Sequence, residues 1–286
     1  MGKRIVLFND LPGYGKVALA AMVPLFSRMG HFPYQVPTAV VSNTLDFGKF
    51  RIQDMTDYMR DTIKVWDELG FDPDCICTGF VLSEEQVELI GDYIRSRKPR
   101  SDEIQNVNNG RLVMVDPIMA DGGKLYNGIG MERVAAMRKL VSYSDVMVPN
   151  MTEAGFLTGI CPGRERASAS ELRELVDGLH KLSGKSVVIT SAQDSETDEH
   201  LVCGYDHKSG QYFHVPFTFL PVRVAGSGDV FSTVMTGKLL NGKSLEAAVR
   251  EAVRVLTTLI RENQSHLDEY KGILIERYWE LLDENN

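Results

Sequence analysis

Short β-branched apolar runs alternate with longer stretches of helical spacing along this chain. That alternation predicts an α/β protein whose mainly parallel sheet is covered by helices on both faces. The last two strand candidates follow one another with no helix between them, which predicts an antiparallel edge. No linker, repeat or low-complexity stretch divides the sequence, so residues 1–286 are expected to form one domain. An apolar fraction of 43% supplies a sizeable core.

In chain order, the apolar run at residues 4–8 reads as the first buried strand. It stops at Asn9-Asp10, too early for a signal-peptide core. Helical spacing over 16–29 leads to a strand at 35–41, a helix at 56–69, a strand at 74–78 and a helix at 84–97. A strand at 111–115, a helix at 131–140 and a strand at 145–148 follow. Short helical spacing at 153–158 and a longer pattern at 168–182 precede a strand at 186–190. The paired edge strands are 200–204 and 211–215. Three helices, 229–240, 245–262 and 267–280, close the chain; Val230, Phe231, Val234, Met235, Leu239 and Leu240 carry the spacing in the first of them.

A net charge of −8 and the lack of a long basic run argue against a nucleic-acid partner. Nothing approaches 18 consecutive apolar residues, so no membrane span is expected. Four cysteines, at 75, 77, 161 and 203, match no zinc spacing. Cys75 and Cys77 are read as facing opposite sides of a strand, which makes them a poor chelate and argues against a disulfide between them. A reducing cytoplasm is the simplest location.

Open α/β sheets bind ligands beyond the carboxyl ends of their strands, and here the segments leaving six successive strands collect glycine, polar and charged residues. The most informative stretch of the chain lies apart from them, at Gly226-Ser227-Gly228-Asp229, where a loop opens a helix. Two glycines permit a tight turn and a close approach, and a helix opening there presents N–H groups and a positive dipole end to an anion. Asp229 puts a carboxylate in the same place. Phosphoryl transfer uses both, amides for the migrating phosphate and a carboxylate for the hydroxyl proton. The alternative is a helix start capped by Ser227 or Asp229.

Asp116, Asp121, Asn150 and Glu153 supply oxygens at the ends of adjacent strands. Mg²⁺ prefers oxygen, keeps several waters and uses one or two carboxylates beside phosphate oxygens. The set therefore suits a magnesium–nucleotide complex, with several members acting through water. For Asn150 and Glu153 the alternative is a capping box; Asp116-Pro117 also suits a strand-ending turn. Thr190 and Ser191 offer hydroxyls to phosphate oxygens, and Lys124 reads as a solvated loop lysine. Gly13-Tyr14-Gly15-Lys16 lacks the spacing of a P-loop.

These residues resemble the ribokinase-like superfamily and, within it, the pyridoxal (vitamin B6) kinases, from about residue 4 to about 260. Gly226-Ser227-Gly228-Asp229 is similar to the superfamily's anion hole and catalytic base. Val115-Asp116-Pro117-Ile118-Met119-Ala120-Asp121-Gly122-Gly123-Lys124-Leu125-Tyr126 resembles the B6-kinase Asp-Pro-Val-Met-Gly-Asp segment and its following loop, and Val148-Pro149-Asn150-Met151-Thr152-Glu153-Ala154 the motif near magnesium and phosphates. Pro37-Thr38-Ala39-Val40-Val41-Ser42-Asn43 resembles the strand entering the pyridoxal pocket. The resemblance implies a three-layer α/β/α sandwich that moves the γ-phosphate of ATP to a primary alcohol. Asp229 is then the base and the Gly226, Ser227 and Gly228 amides the anion hole. Asp116, Asn150, Glu153, Thr190 and Ser191 face the nucleotide, and Asp116, Asp121 and Glu153 the Mg²⁺. A monovalent cation and a homodimer are common in the family.

The pocket departs from the family pattern. Ser42-Asn43-Thr44-Leu45-Asp46 stands where the family has Ser-Asn-His-Thr-Gly or Ser-Thr-His-Thr-Gly, so Leu45 replaces the threonine that lines the pyridoxal ring. Asp10 stands where many members have a serine that bonds the pyridine nitrogen; an ionised aspartate accepts hydrogen bonds but donates none. Phe80 occupies the position of a ring-stacking residue. Ser42, Leu45, Phe80 and Asp10 are thus the substrate candidates for a B6 vitamer. Phosphorylation of hydroxymethylpyrimidine or another small alcohol, and non-catalytic binding of a nucleotide or vitamin, are the alternatives.

Overall fold

The computed structural model describes residues 2–97, 111–126, 129–265 and 272–283. Its elements, in order, are β1 (Arg4–Pro12), α1 (Ala18–Arg28), β2 (Phe32–Val41), β3 (Ile52–Asp54), α2 (Thr56–Glu68), β4 (Cys75–Thr78) and α3 (Glu84–Ser96). Then come β5 (Leu112–Val115), a hairpin of β6 (Ala120–Asp121) and β7 (Lys124–Leu125), α4 (Met131–Val141), β8 (Val146–Met147), α5 (Met151–Thr158) and β9 (Arg166–Ala167). The rest are α6 (Ala169–Ser183), β10 (Ser186–Asp194), β11 (His200–Asp206), β12 (Gln211–Pro216), α7 (Ser227–Leu240) and α8 (Leu245–Asn263). The described residues group into two compact units, 2–82, 111, 220–265 and 272–283 in one, 83–97, 112–126 and 129–219 in the other.

In the first unit β1 is central, pairing in parallel with β2 and β4, while β3 adds antiparallel to β2. Ile5, Val6, Leu7 and Phe8 are all buried, so successive residues on both faces of β1 are covered. This explains a continuous apolar run instead of an alternating one. Helix α1 packs on β1, β2 and α7, and α7 packs on α8. Nearly every turn of α7 is buried, polar Ser232, Thr233, Thr236 and Lys238 included. The Lys238 ammonium donates to the Leu282 carbonyl at 2.9 Å, which satisfies a buried charge with a main-chain acceptor.

In the second unit β5, β8 and β10 run parallel, β9 adds in parallel to β10, and β11 and β12 continue antiparallel. The expected antiparallel edge is therefore present. Helices α5 and α6 both open with capping boxes, Asn150 with Glu153 and Ser168 with Glu171.

Most predicted elements appear within one to four residues of their expected ends. Strand β1 runs on to Pro12, with its register shifting between Asn9 and Leu11. Strand β10 continues to Asp194 past an irregularity between Ile189 and Ala192, where Ser191 takes a left-handed φ of 55°. Strands β3, β6, β7 and β9 are only two or three residues long, too short to carry a periodic signal. The helix expected over 267–280 is corrected. Its first five residues lie outside the described ones, and Ile275–Arg277 and Trp279–Leu282 form 3₁₀ turns. Side chains from distant elements hold these turns: Arg28 donates to the Trp279 carbonyl, Arg254 to that of Leu281 and Lys238 to that of Leu282.

The expectation for Cys75 and Cys77 is corrected as well. Residues two apart on a strand share a face, and the two buried sulfurs lie 3.7 Å apart as free thiols. Among the described residues no helix is long and apolar enough to cross a membrane.

Burial of β1 on both faces makes it the strand least tolerant of truncation. Leu7→Ala is expected to destabilise the protein by about 2–5 kcal/mol in urea unfolding. A loss below about 1 kcal/mol would contradict this placement of the strand.

Candidate active site

In the first unit the site candidates gather where β1, β2 and β4 end and α7 begins. Gly226 turns the chain into α7 with a φ of 81°, and a Cβ there would stand 2.7 Å from the Lys16 carbonyl oxygen. A side chain is thus excluded by conformation and by space. Helix α7 has no side-chain cap, so the alternative role of Ser227 or Asp229 as its cap is not adopted. The first-turn amides that other helices satisfy with serine or asparagine are left to the backbone, the surroundings or a ligand.

Asp229 instead points its carboxylate back toward α1 and β1. One oxygen accepts the Ala18 N–H at 2.8 Å, and the other accepts the Asn9 side-chain N–H at 3.2 Å. Ala18 holds a left-handed φ of 47°, an uncommon conformation for a residue with a Cβ. Burial pushes the Asp229 carboxyl up from its ordinary range, and the two donors pull it back down. Asp10 is pushed up to about 7, first by burial and then by the charge of Asp229. Two carboxyl groups of unequal environment therefore share this corner.

The other pocket candidates lie on the flanking strand ends. The Phe80 N–H donates to Asn9 Oδ1 at 2.8 Å, while its carbonyl accepts from the Thr38 hydroxyl at 2.7 Å. Both bonds fix the backbone beneath the half-buried ring. The Ser42 hydroxyl donates to Asn43 and accepts from the Arg51 N–H, so it braces its own loop. Leu45 opens a 3₁₀ turn and is 47% exposed, whereas neighbouring Thr44 is buried.

In the second unit Asn150 and Glu153 adopt the capping box that sequence spacing offered as one reading, and they do more. Glu153 is buried. Its Oε2 accepts the Asn150 N–H at 2.9 Å, while its Oε1 accepts the Met119 N–H at 2.9 Å and the Ala120 N–H at 3.4 Å. Asn150 donates to the Ala120 carbonyl at 2.8 Å, and the Thr152 hydroxyl accepts the Gly123 N–H at 3.0 Å. The start of α5 thus fastens the β6–β7 hairpin that carries Asp121 and Lys124. Burial pushes Glu153 up to about 7 against the pull of these backbone donors.

Asp121 is exposed and accepts the Gly122 N–H, Asp116 is buried after β5, and Thr190 bridges to Asn150 in parallel register. Exposed Ser191 follows at the β10 irregularity. Among the described residues no three histidine, cysteine or acidic side chains converge as a metal cage. A hydrated Mg²⁺ carried by nucleotide phosphates needs only one or two carboxylates, and this donor set fits that ion better than a fully protein-bound one.

Two participants escaped the sequence reading. Asn9 was visible as a polar residue ending an apolar strand, but nothing local showed what it holds. Ala18 contributes a backbone N–H, which leaves no trace in a side-chain pattern.

The phosphomethylpyrimidine kinase family model matches residues 20–274. A pyridoxine/pyridoxal/pyridoxamine kinase of Bordetella avium is 30% identical over 250 residues, covering 85% of this chain and 79% of its own. A Bacteroides thetaiotaomicron protein, provisionally named a phosphomethylpyrimidine kinase and crystallised with pyridoxal, is 32% identical with a TM-score of 0.90; the match covers 99% of this chain and 96% of that one. The pyridoxal kinase of Lactobacillus plantarum shares the fold, at a TM-score of 0.85 and 24% identity over 98% of this chain and 96% of its own. With the mostly parallel α/β architecture and the turn into α7 already in hand, these similarities place the protein among ATP-dependent kinases: the chain belongs to the pyridoxal kinase family of the ribokinase-like superfamily.

Proposed function

We propose that residues 1–286 act as one kinase domain that transfers the γ-phosphate of ATP to the 5′-hydroxymethyl group of a vitamin B6 vitamer, with Asp229 as general base. The observation that carries the reading is the Asp229 carboxylate, held by Asn9 and Ala18 beside the uncapped start of α7. The names of the Bordetella relative and the pyridoxal in the Bacteroides crystal support the substrate class.

In this reading the substrate hydroxyl gives its proton to Asp229 as its oxygen bonds to the γ-phosphorus. The bond from that phosphorus to the β–γ bridging oxygen breaks, and ADP leaves. The Gly226, Ser227 and Gly228 amides stabilise the transferring oxygens, as expected where positioning and charge neutralisation dominate. Asn150, Thr190 and Ser191 orient the nucleotide. Mg²⁺, when bound, would neutralise phosphate charge; Asp116 and Asp121 would help to hold it. Glu153, whose oxygens already accept backbone N–H groups, would support the ion while keeping the 119–120 backbone in place. A monovalent cation, a homodimer and a cytoplasmic location belong to the same proposal.

Phe80 and Leu45 form apolar walls for the ring and Ser42 supports the loop. Asp10, with its carboxyl pushed up to about 7, supplies a proton to a neutral ring nitrogen or accepts one from a protonated ring. The matching family description favours a second reading, in which the alcohol is a hydroxymethylpyrimidine.

ADP release with ATP and Mg²⁺ should be measured over pyridoxal, pyridoxamine, pyridoxine, hydroxymethylpyrimidine and several sugars. Turnover of a B6 vitamer is expected, falling by about 10²–10⁴ in Asp229→Ala with ATP affinity retained. Turnover of the pyrimidine alone would select the second reading, and an equally active Asp229→Ala would remove the base.

Asp10 also carries a stability signature. Its folded carboxyl titrates near 7 and its unfolded one near 3.8, so the folded state binds the extra proton between those values. Stability contributed by the neutral form is present at pH 4 and is lost as pH rises through 7. Asp10→Asn should therefore raise Tm relative to wild type at pH 8, with the gap closing toward pH 4. A constant gap across that range would contradict the buried, raised carboxyl.

A further inference from the structure

Asn9 is 1% exposed at the end of β1, yet all its polar capacity is engaged. Its amide nitrogen donates to Asp229 Oδ1 at 3.2 Å and contacts the Met22 sulfur at 3.3 Å. Its amide oxygen accepts the Phe80 N–H at 2.8 Å and the Asp10 N–H at 3.0 Å. One carboxamide therefore touches the candidate base and the backbone of two candidate substrate contacts, Phe80 and Asp10. Space is reserved for it: a Cβ on Gly79 would lie within 2.6 Å of all three amide heavy atoms. Gly79 is required here by close approach, since the Asn9 amide lies against its Cα.

We propose that Asn9 is the positioning residue of the Asp229 base, fixing its carboxylate through the amide nitrogen while its amide oxygen fixes the Phe80 and Asp10 backbone that faces the substrate. The inference rests on the kinase reading above and extends it to a group that touches neither ATP nor the reacting hydroxyl. Ala18 N–H alone leaves one carboxylate oxygen able to rotate; Asn9 supplies the second point that sets the plane. The arrangement orients the proton acceptor by the same element that positions the alcohol. A neutral amide suits this task because it donates without a second charge beside Asp10 and Asp229.

The surroundings restrict what else could move the base. Asp10, on β1, is the neighbouring carboxyl, itself pushed up in part by the charge of Asp229. Lys16, ahead of α1, is ion-paired with Glu276. From α1 the group facing Asp229 is the Ala18 N–H, and on α7 the Thr233 hydroxyl bonds the Asp229 carbonyl, away from the carboxylate. From β4 the adjoining segment contributes the Phe80 N–H through Asn9.

The test is the pH profile of kcat for the vitamer, with KM for ATP measured alongside, in Asn9→Leu, Asn9→Asp and Gly79→Ala, each also in an Asp10→Asn background so that Asp10 does not mask the base. Losing the donor disfavours the ionised carboxylate, so Asn9→Leu should move the acid limb up by about one unit. It should also lower kcat by up to about a hundredfold, with KM for ATP within about twofold. Gly79→Ala keeps the amide but displaces it, and should move the profile in the same direction. Asn9→Asp keeps shape and acceptor and donates only while protonated, so its kcat should fall on the alkaline side where the wild type is flat.

If Asn9→Leu does not fold, the other two variants decide. Profiles superimposable on wild type in folded variants, with Asp229→Ala inactive, would overturn the positioning role and leave the base intact. An active Asp229→Ala would overturn the base, and the positioning role with it.

Discussion

A carboxylate withdrawn from water takes up a proton unless donors hold it charged, and the first unit is organised around that constraint at Asp229. Burial pushes this group up; the Ala18 N–H and the Asn9 amide pull it down. Each donor comes from a different element, one from the start of α1 and one from the end of β1. Those elements are fixed in turn by the apolar contacts of α1 with β1 and α7. Core packing and the placement of the Asp229 carboxylate thus depend on the same three pieces of chain. The left-handed Ala18 is consistent with this, because an uncommon backbone conformation persists only where its surroundings over-determine it.

Two helix starts in the protein resolve their orphan amides in opposite ways. At α5, Asn150 and Glu153 close a capping box, and the same glutamate fastens Met119 and Ala120. At α7, Gly226 enters in a left-handed turn and no side chain caps the helix. The first arrangement makes a rigid support, whereas at the second the backbone itself takes part, the Ser227 N–H reaching the Val224 carbonyl at 3.4 Å. That contrast is the basis of the proposed division between phosphate stabilisation at Gly226–Gly228 and a supporting part for Glu153.

The order of elements was legible in the sequence because long apolar runs and helical spacings report burial directly. The two- and three-residue strands were not, since they exist through pairing with neighbours. The 3₁₀ turns at 275–282 escaped for a related reason, as their carbonyls are satisfied by Arg28, Arg254 and Lys238 from far along the chain. Within the site, Gly226 and Asp229 stood out because a tight turn and an out-of-place charge have local signatures. Asn9 and Gly79 did not: their meaning is a contact across 70 residues of sequence, and only the folded arrangement brings a strand-end amide against a Cα. The paired thiols of Cys75 and Cys77 show that even a two-residue spacing is misjudged when strand alternation is counted wrongly.

The central claim is that Asp229 takes the hydroxyl proton during phosphoryl transfer. Rapid-quench single-turnover measurement of phosphate-ester formation from bound ATP and pyridoxal tests it most directly, comparing wild type with Asp229→Asn at equal ATP occupancy. The account predicts a chemical step slowed by about a hundredfold or more, with nucleotide binding unchanged. Equal rates of ester formation at equal occupancy would contradict it.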